Sequence, residues 1–124
     1  MTDNRISLCM ILRDDAETAR PLLAKLRPHV DEICIADTGS TDETPSIARH
    51  YADKFTTFLG CNNPEDEKIE DFALARQHVL EMASHPFHLW LDGDDDFTGA
   101  ENLRKLCDRP EAAVQYLVPY EYTH

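Results

Sequence analysis

Phe87-His88-Leu89-Trp90-Leu91-Asp92-Gly93-Asp94-Asp95-Asp96 is a largely apolar run of five residues that passes directly into four acids and a glycine. A short, nearly continuous apolar run that ends in turn residues reads as a strand buried on both faces of a parallel sheet. In open α/β sheets, ligands bind outside the carboxyl ends of the strands. This one stretch therefore implies both a fold class and a place for the chemistry.

The same pattern occurs twice upstream. Ile6 to Leu12 is a near-continuous apolar run followed by Arg13, Asp14 and Asp15. Ile33-Cys34-Ile35-Ala36 runs into Asp37-Thr38-Gly39-Ser40-Thr41-Asp42, a loop rich in turn and capping residues. Between these runs lie helical patterns. Ala19, Leu22, Leu23 and Leu26 are spaced i, i+3, i+4, i+7 on one face. Thr18 can cap that helix and would place Pro21 in its first turn, where proline is tolerated. Pro45, Ile47, Ala48 and Tyr51 suit a second helix, Phe55 to Leu59 a third strand, and residues 60–68 a polar loop. A longer helix is expected over 69–84, with Ile69, Phe72, Ala73, Val79, Leu80 and Ala83 on one face and Arg76 among them. A short helix near 100–107 and a strand near 113–119 complete the series.

Strands alternating with helices predict an α/β domain, a mainly parallel sheet with helices on both faces. The 124 residues are read as one domain, 1–124, with no linker. No closing helix follows Val114 to Val118, so truncation at the C-terminus is expected.

Composition narrows the function. Asp plus Glu number 24 against 12 Lys plus Arg, a net charge of −12, which argues against nucleic acid and anionic lipid as partners. No window of 18 apolar residues spans a membrane, and no basic-then-apolar leader follows Met1, so a cytoplasmic location is expected. Cys9, Cys34, Cys61 and Cys107 form no C-x-x-C pair and read as reduced thiols. The six histidines show no zinc-binding spacing.

The acids at the strand ends, Asp37, Asp92 and Asp94 with Asp14 and Asp15, form a crowd of like charge that favours a shared cation. Carboxylates are hard ligands suited to Mg²⁺, Mn²⁺ or Ca²⁺. On an extended segment, Asp92 and Asp94 would point in opposite directions, one to a metal and the other to a hydroxyl. Gly93 would let a ligand approach closely. The competing reading is a solvated acidic turn. An EF-hand is excluded, because neither register supplies a glutamate at position 12. Arg76, on an apolar helix face, reads equally as half of a buried ion pair or as a fork for a diphosphate.

Together these segments resemble the family 2 glycosyltransferases of the GT-A fold. Ile6-Ser7-Leu8-Cys9-Met10-Ile11-Leu12 is similar to that family's opening strand. Asp37-Thr38-Gly39-Ser40-Thr41-Asp42 resembles its D-x-G-S-x-D segment. Asp71-Phe72-Ala73-Leu74-Ala75-Arg76 resembles the D-F-A-x-A-R stretch of one bacterial branch. Leu91-Asp92-Gly93-Asp94-Asp95 is similar to its L-D-x-D-[DE] metal motif. The match spans roughly residues 5–119. It implies a Rossmann-like nucleotide-sugar-binding half. Asp37 would bind the base, usually uracil, and Asp92 would lie near the ribose. Asp94 would ligate Mn²⁺ or Mg²⁺, and Arg76 would face the diphosphate. The partners implied are a nucleotide-sugar donor and a glycan, protein or lipid acceptor, with a metal-dependent, inverting transfer.

The chain departs from the family's pattern at three places. Arg13-Asp14-Asp15 stands where the family commonly has Lys-Asn-Glu, and Gln77 where it has Asn. The base that deprotonates the acceptor is expected beyond residue 124. Two alternatives come from other classes: a non-catalytic nucleotide-binding or scaffold module, and a phosphoacceptor receiver domain. The receiver reading is the less favoured, because the third strand ends without an acid and the lysine expected after the fifth strand is absent.

Overall fold

The structure is a computed structural model; it describes residues 5–60, 62, 71–95, 101, 103, 116 and 117. Its strands are β1 (Ile6–Leu12), β2 (Glu32–Asp37), β3 (Lys54–Thr57), β4 (Phe87–Asp92) and β5 (Tyr116–Leu117). Its helices are α1 (Ala16–Leu26), α2 (Thr44–Tyr51) and α3 (Phe72–Met82). The sheet runs in the order β3-β2-β1-β4-β5, and every pairing is parallel.

The apolar runs explain the two-sided sheet. On one face Ile6, Leu8, Met10 and Leu12 pack with Ile33, Ile35, Leu89 and Leu91 under Leu22, Leu23 and Leu26 of α1 and Ile47 of α2. On the other, Cys9, Cys34 and Ala36 pack with Val79, Met82 and Ala83 in and after α3. Each large aliphatic side chain taken fully out of water contributes about 1.5–3 kcal/mol. Cys9 and Cys34, cross-strand partners in register, are free thiols within this second layer.

Element bounds differ from the sequence reading in instructive ways. Helix α1 begins at Ala16, not after Thr18, so Pro21 lies inside it and removes one internal hydrogen bond. The reason is tertiary: the Ala16 amide donates to Asp42 Oδ2 at 3.3 Å and the Asp15 amide to Thr44 Oγ1 at 2.9 Å. Helix α3 starts at Phe72, where Asp71 caps it by accepting from the Leu74 amide at 3.0 Å. Among its described side chains the buried ones are Ala75 and Val79; Ala73 is exposed, so the inward face is rotated from the one expected. The expected helix over 100–107 and loop over 60–68 lie almost wholly outside the described residues.

At the opposite end of the sheet from the acids, Glu32 is buried and accepts four hydrogen bonds. These come from Ser7 Oγ (2.8 Å), the Ser84 amide (2.9 Å), Ser84 Oγ (2.8 Å) and Lys54 Nζ (2.9 Å). Lys54 also donates to the Met82 carbonyl at 2.6 Å. This cluster fastens the C-terminal end of α3 to β1, β2 and β3.

Candidate functional site

The strand order places β1 beside β4, with β2 and β3 on one side and β5 on the other. Chain order therefore reverses between β1 and β4, and the crevice at such a point is where α/β sheets bind ligands. A cleft of about 530 Å³ opens there, lined by Ile11, Arg13, Asp15, Arg76, Asp92 and Asp94 among others. Three carboxylates and two guanidinium groups thus share one cavity.

The acids divide into two groups. Asp14, Asp37 and Asp42 are consumed by the protein's own donors. Asp37 is 2% exposed; its Oδ2 accepts from the Gly39 amide (3.1 Å) and the Ser40 amide (3.0 Å), and its Oδ1 from Ser40 Oγ. Asp14, at φ +53°, accepts from the Thr41 amide at 2.7 Å and the Asp42 amide at 3.3 Å. Asp42 accepts from the Thr44 amide at 2.9 Å as well as from Ala16 in α1, so one carboxylate serves two helix starts. These bonds weld the β1–α1 loop to the 38–43 loop. They hold Asp42 below the usual carboxylate range, chiefly through Thr44.

Asp15, Asp92 and Asp94 face the cleft instead. Burial pushes Asp15 up, and Asp94, Asp42 and Asp92 add to this against a lowering bond from the Arg13 amide. Burial likewise raises Asp92, reinforced by Asp95 and Asp94 and opposed by Arg76. Asp92, Asp94 and Asp95 can bring one oxygen each within 4.8 Å of one another. The all-oxygen, anionic donor set fits a hard divalent cation.

Of the four residues singled out in the sequence, the cleft brings together Arg76, Asp92 and Asp94. Asp37 ends the neighbouring strand, opposite Leu12 in register, and does not line the cleft. Arg76 is exposed, so it is not half of a buried ion pair. The alternation expected of an extended D-G-D does not hold either. β4 ends at Asp92, Gly93 and Asp94 form a turn, and their carboxylates converge. Gly93 is required by a protein neighbour: a Cβ there would stand 2.6 Å from Asp15 Cγ. The sequence counts Asp15 among the acids that favour a shared cation but gives no individual role to Arg13 or Asp95; Arg13 lines the cleft and Asp95 joins the acids of the turn. The signals were present, in the charged triplet after β1 and in the acid run after β4.

Fold and cleft together define a parallel α/β domain with an acidic, cation-suited site at its switch point. The family model for glycosyl transferase family 2 matches residues 7–122, and the chain belongs to that family. It is 36% identical over 110 residues to a TPR repeat-containing protein of Synechococcus elongatus, covering 87% of this chain and 25% of that protein. The chain thus spans about a quarter of the length of that curated relative. Two solved structures of glucosyl-3-phosphoglycerate synthase from Mycobacterium tuberculosis share the fold. One, in complex with Mn²⁺, UDP and glucosyl-3-phosphoglycerate, aligns at TM-score 0.52 and 21% identity, over 72% of this chain and 33% of that one. The other aligns at TM-score 0.54 and 22% identity, over 74% and 35%. No helix among the described residues is long and apolar enough to cross a membrane.

Proposed function

We propose that this chain is the donor-binding portion of a glycosyltransferase that takes a sugar from a UDP-linked donor in a metal-dependent, inverting transfer. The observation that carries the reading is the cleft between β1 and β4, where carboxylates suited to a cation meet two guanidinium groups. The family match and the Mn²⁺ and UDP of the structural neighbour support it.

In this reading Asp94, with Asp92 and Asp95, holds Mn²⁺ or Mg²⁺, and Asp92 also lies near the ribose. A bound divalent cation supplies Lewis-acid neutralisation of the charge that develops on a departing diphosphate. The chain's own residues bind and orient. Arg76 presents a planar fork that matches phosphate oxygens, and Arg13 adds a second cation at the mouth. In the same reading Asp37, fixed at the end of β2 by three hydrogen bonds from Gly39 and Ser40, would accept from a uracil N–H. The acceptor is a glycan, protein or lipid, and none of the described residues is assigned as its base.

Calorimetric titration of UDP with and without Mn²⁺ tests this, with GDP and Asp94→Ala alongside. The expected result is Mn²⁺-dependent UDP binding, weak for GDP and lost in Asp94→Ala. UDP binding that ignores Mn²⁺, or no nucleotide binding at millimolar concentration, refutes the donor assignment.

A further inference from the structure

Gly93 lies unusually close to Asp15. A Cβ at position 93 would stand 2.6 Å from Asp15 Cγ and Oδ2 and 2.7 Å from Asp15 Cβ. Non-bonded carbons sit about 3.5–4.0 Å apart. The Asp15 side chain therefore occupies the space that any side chain at 93 needs.

Asp15 is itself fixed from other directions. Its amide donates to Thr44 Oγ1 at 2.9 Å, and its Oδ2 accepts from the Arg13 amide at 3.0 Å. Thr44 Oγ1 in turn donates to Asp42. Asp15 thus stands between two segments that leave the sheet from β2 and β4, the strands on either side of β1. One is the 37–44 loop, and the other is the Asp92-Gly93-Asp94-Asp95 turn.

We propose that Asp15 is a positioning residue. Its side chain, wedged against the bare Cα of Gly93, sets the span between the cation carboxylates and the 37–44 loop. The inference rests on the donor-binding reading above. The three carboxylates of the turn belong to one short segment, so their mutual arrangement survives loss of the wedge. What the wedge controls is their distance from the loop that would meet the nucleoside. Its loss should weaken the coupling between Mn²⁺ and UDP more than the binding of Mn²⁺ alone.

The test is a double-mutant cycle read as a coupling factor, the ratio of UDP affinities with and without Mn²⁺. Thermal midpoints and the affinity for Mn²⁺ alone are measured for every variant. Asp15→Ala is expected to lower the coupling factor at least about tenfold while Mn²⁺ affinity changes less than about threefold. Asp15→Asn keeps the shape and should keep the coupling within about threefold. Gly93→Ala should lose coupling through collision. Combining it with Asp15→Gly should recover at least about fivefold over Gly93→Ala, because the Asp15 Cβ, 2.7 Å from the new methyl, is then gone together with the carboxylate.

Equal losses in Asp15→Asn and Asp15→Ala would show that charge matters and shape does not, and would overturn the proposal. A double variant as poor as the product of the single effects would do the same. If Gly93→Ala does not fold, the comparison of Asn with Ala at position 15 decides alone. Absence of Mn²⁺-dependent UDP binding in the unsubstituted chain sinks the donor reading itself. Coupling in that chain without rescue sinks only the wedge.

Discussion

Replacing Glu32 by Gln should remove a stabilising contribution that depends on pH in a calculable way. Burial alone would raise this carboxyl. The Ser84, Lys54 and Ser7 hydrogen bonds outweigh burial and bring it from 4.5 to about 2. At about 1.36 kcal/mol per pH unit, a depression of roughly 2.5 units corresponds to about 3 kcal/mol. The side chain is only 8% exposed, so little is lost to solvent screening. A depressed carboxyl stabilises the fold above the unfolded-state value and loses that contribution as pH falls toward the folded-state value. The window is therefore about pH 5 to pH 2, and by pH 3 about 2 of the 3 kcal/mol should be gone. Glutamine keeps an acceptor for Ser7 Oγ and the Ser84 amide but turns a donor toward Lys54. Urea denaturation of both proteins at pH 7, 5 and 3 reads the difference directly. The gap should be about 2–3 kcal/mol at pH 7 and close by most of that amount at pH 3. A gap that stays constant with pH, or is below about 1 kcal/mol at pH 7, would refute the clamp.

Other consequences follow from the same geometry. Burial, reinforced by neighbouring carboxylates, raises Asp15 and Asp92, so their ionised forms oppose the fold at neutral pH and a divalent cation should offset this. At a hundredfold excess over its dissociation constant, Mn²⁺ should add about 2.7 kcal/mol, seen as a rise of several degrees in thermal midpoint. An equal rise in Asp94→Ala would show that the ion binds elsewhere. Gly39, at φ +113°, should lose about 1–2 kcal/mol on substitution by Ala, measured by urea midpoint, because an L side chain rarely adopts that backbone. Burial, aided by Glu32, pushes the Cys9 thiol up to about 12, and burial raises Cys34 as well. Peptide-mapped alkylation of these two at pH 8 should therefore wait for unfolding and track the urea transition. Rapid modification of either in the native chain would contradict the packing against α3.

The central strands are legible because their apolar runs are too short for a helix and end in turn residues. Ile6–Leu12 and Phe87–Asp92 appear where their composition puts them. The start of α1 was not legible, because its first free amide is met by Asp42, 26 positions away. A local search finds Thr18, whose hydroxyl instead donates to the Asp15 carbonyl at 3.2 Å. The face of α3 was misjudged for a related reason. Alanine carries almost no directional signal, and Ala73 was counted inward where Ala75 is buried. That rotation also takes Arg76 off the apolar side and leaves it at the cleft.

The acids give the deeper case. By composition Asp14, Asp15, Asp37, Asp92 and Asp94 are alike, and their number favours a shared cation. The structure separates them by the supply of donors. The 38–43 loop and the first turns of α1 and α2 expose unpaired amides, and Asp14, Asp37 and Asp42 take them. Among the described residues, the turn of Asp92, Asp94 and Asp95 shows one such bond, from the Asp92 amide to Asp95 at 2.8 Å. A carboxylate spent on its own backbone gains little from a cation; one crowded against other carboxylates and short of donors gains most. Cation dependence should therefore track the donor-poor acids. Asp94→Asn should abolish the Mn²⁺ response, whereas Asp14→Asn, which retains an oxygen for the Thr41 amide, should leave it within about threefold. An equal loss in both would mean that the whole acidic edge acts as a diffuse field and that no defined site exists.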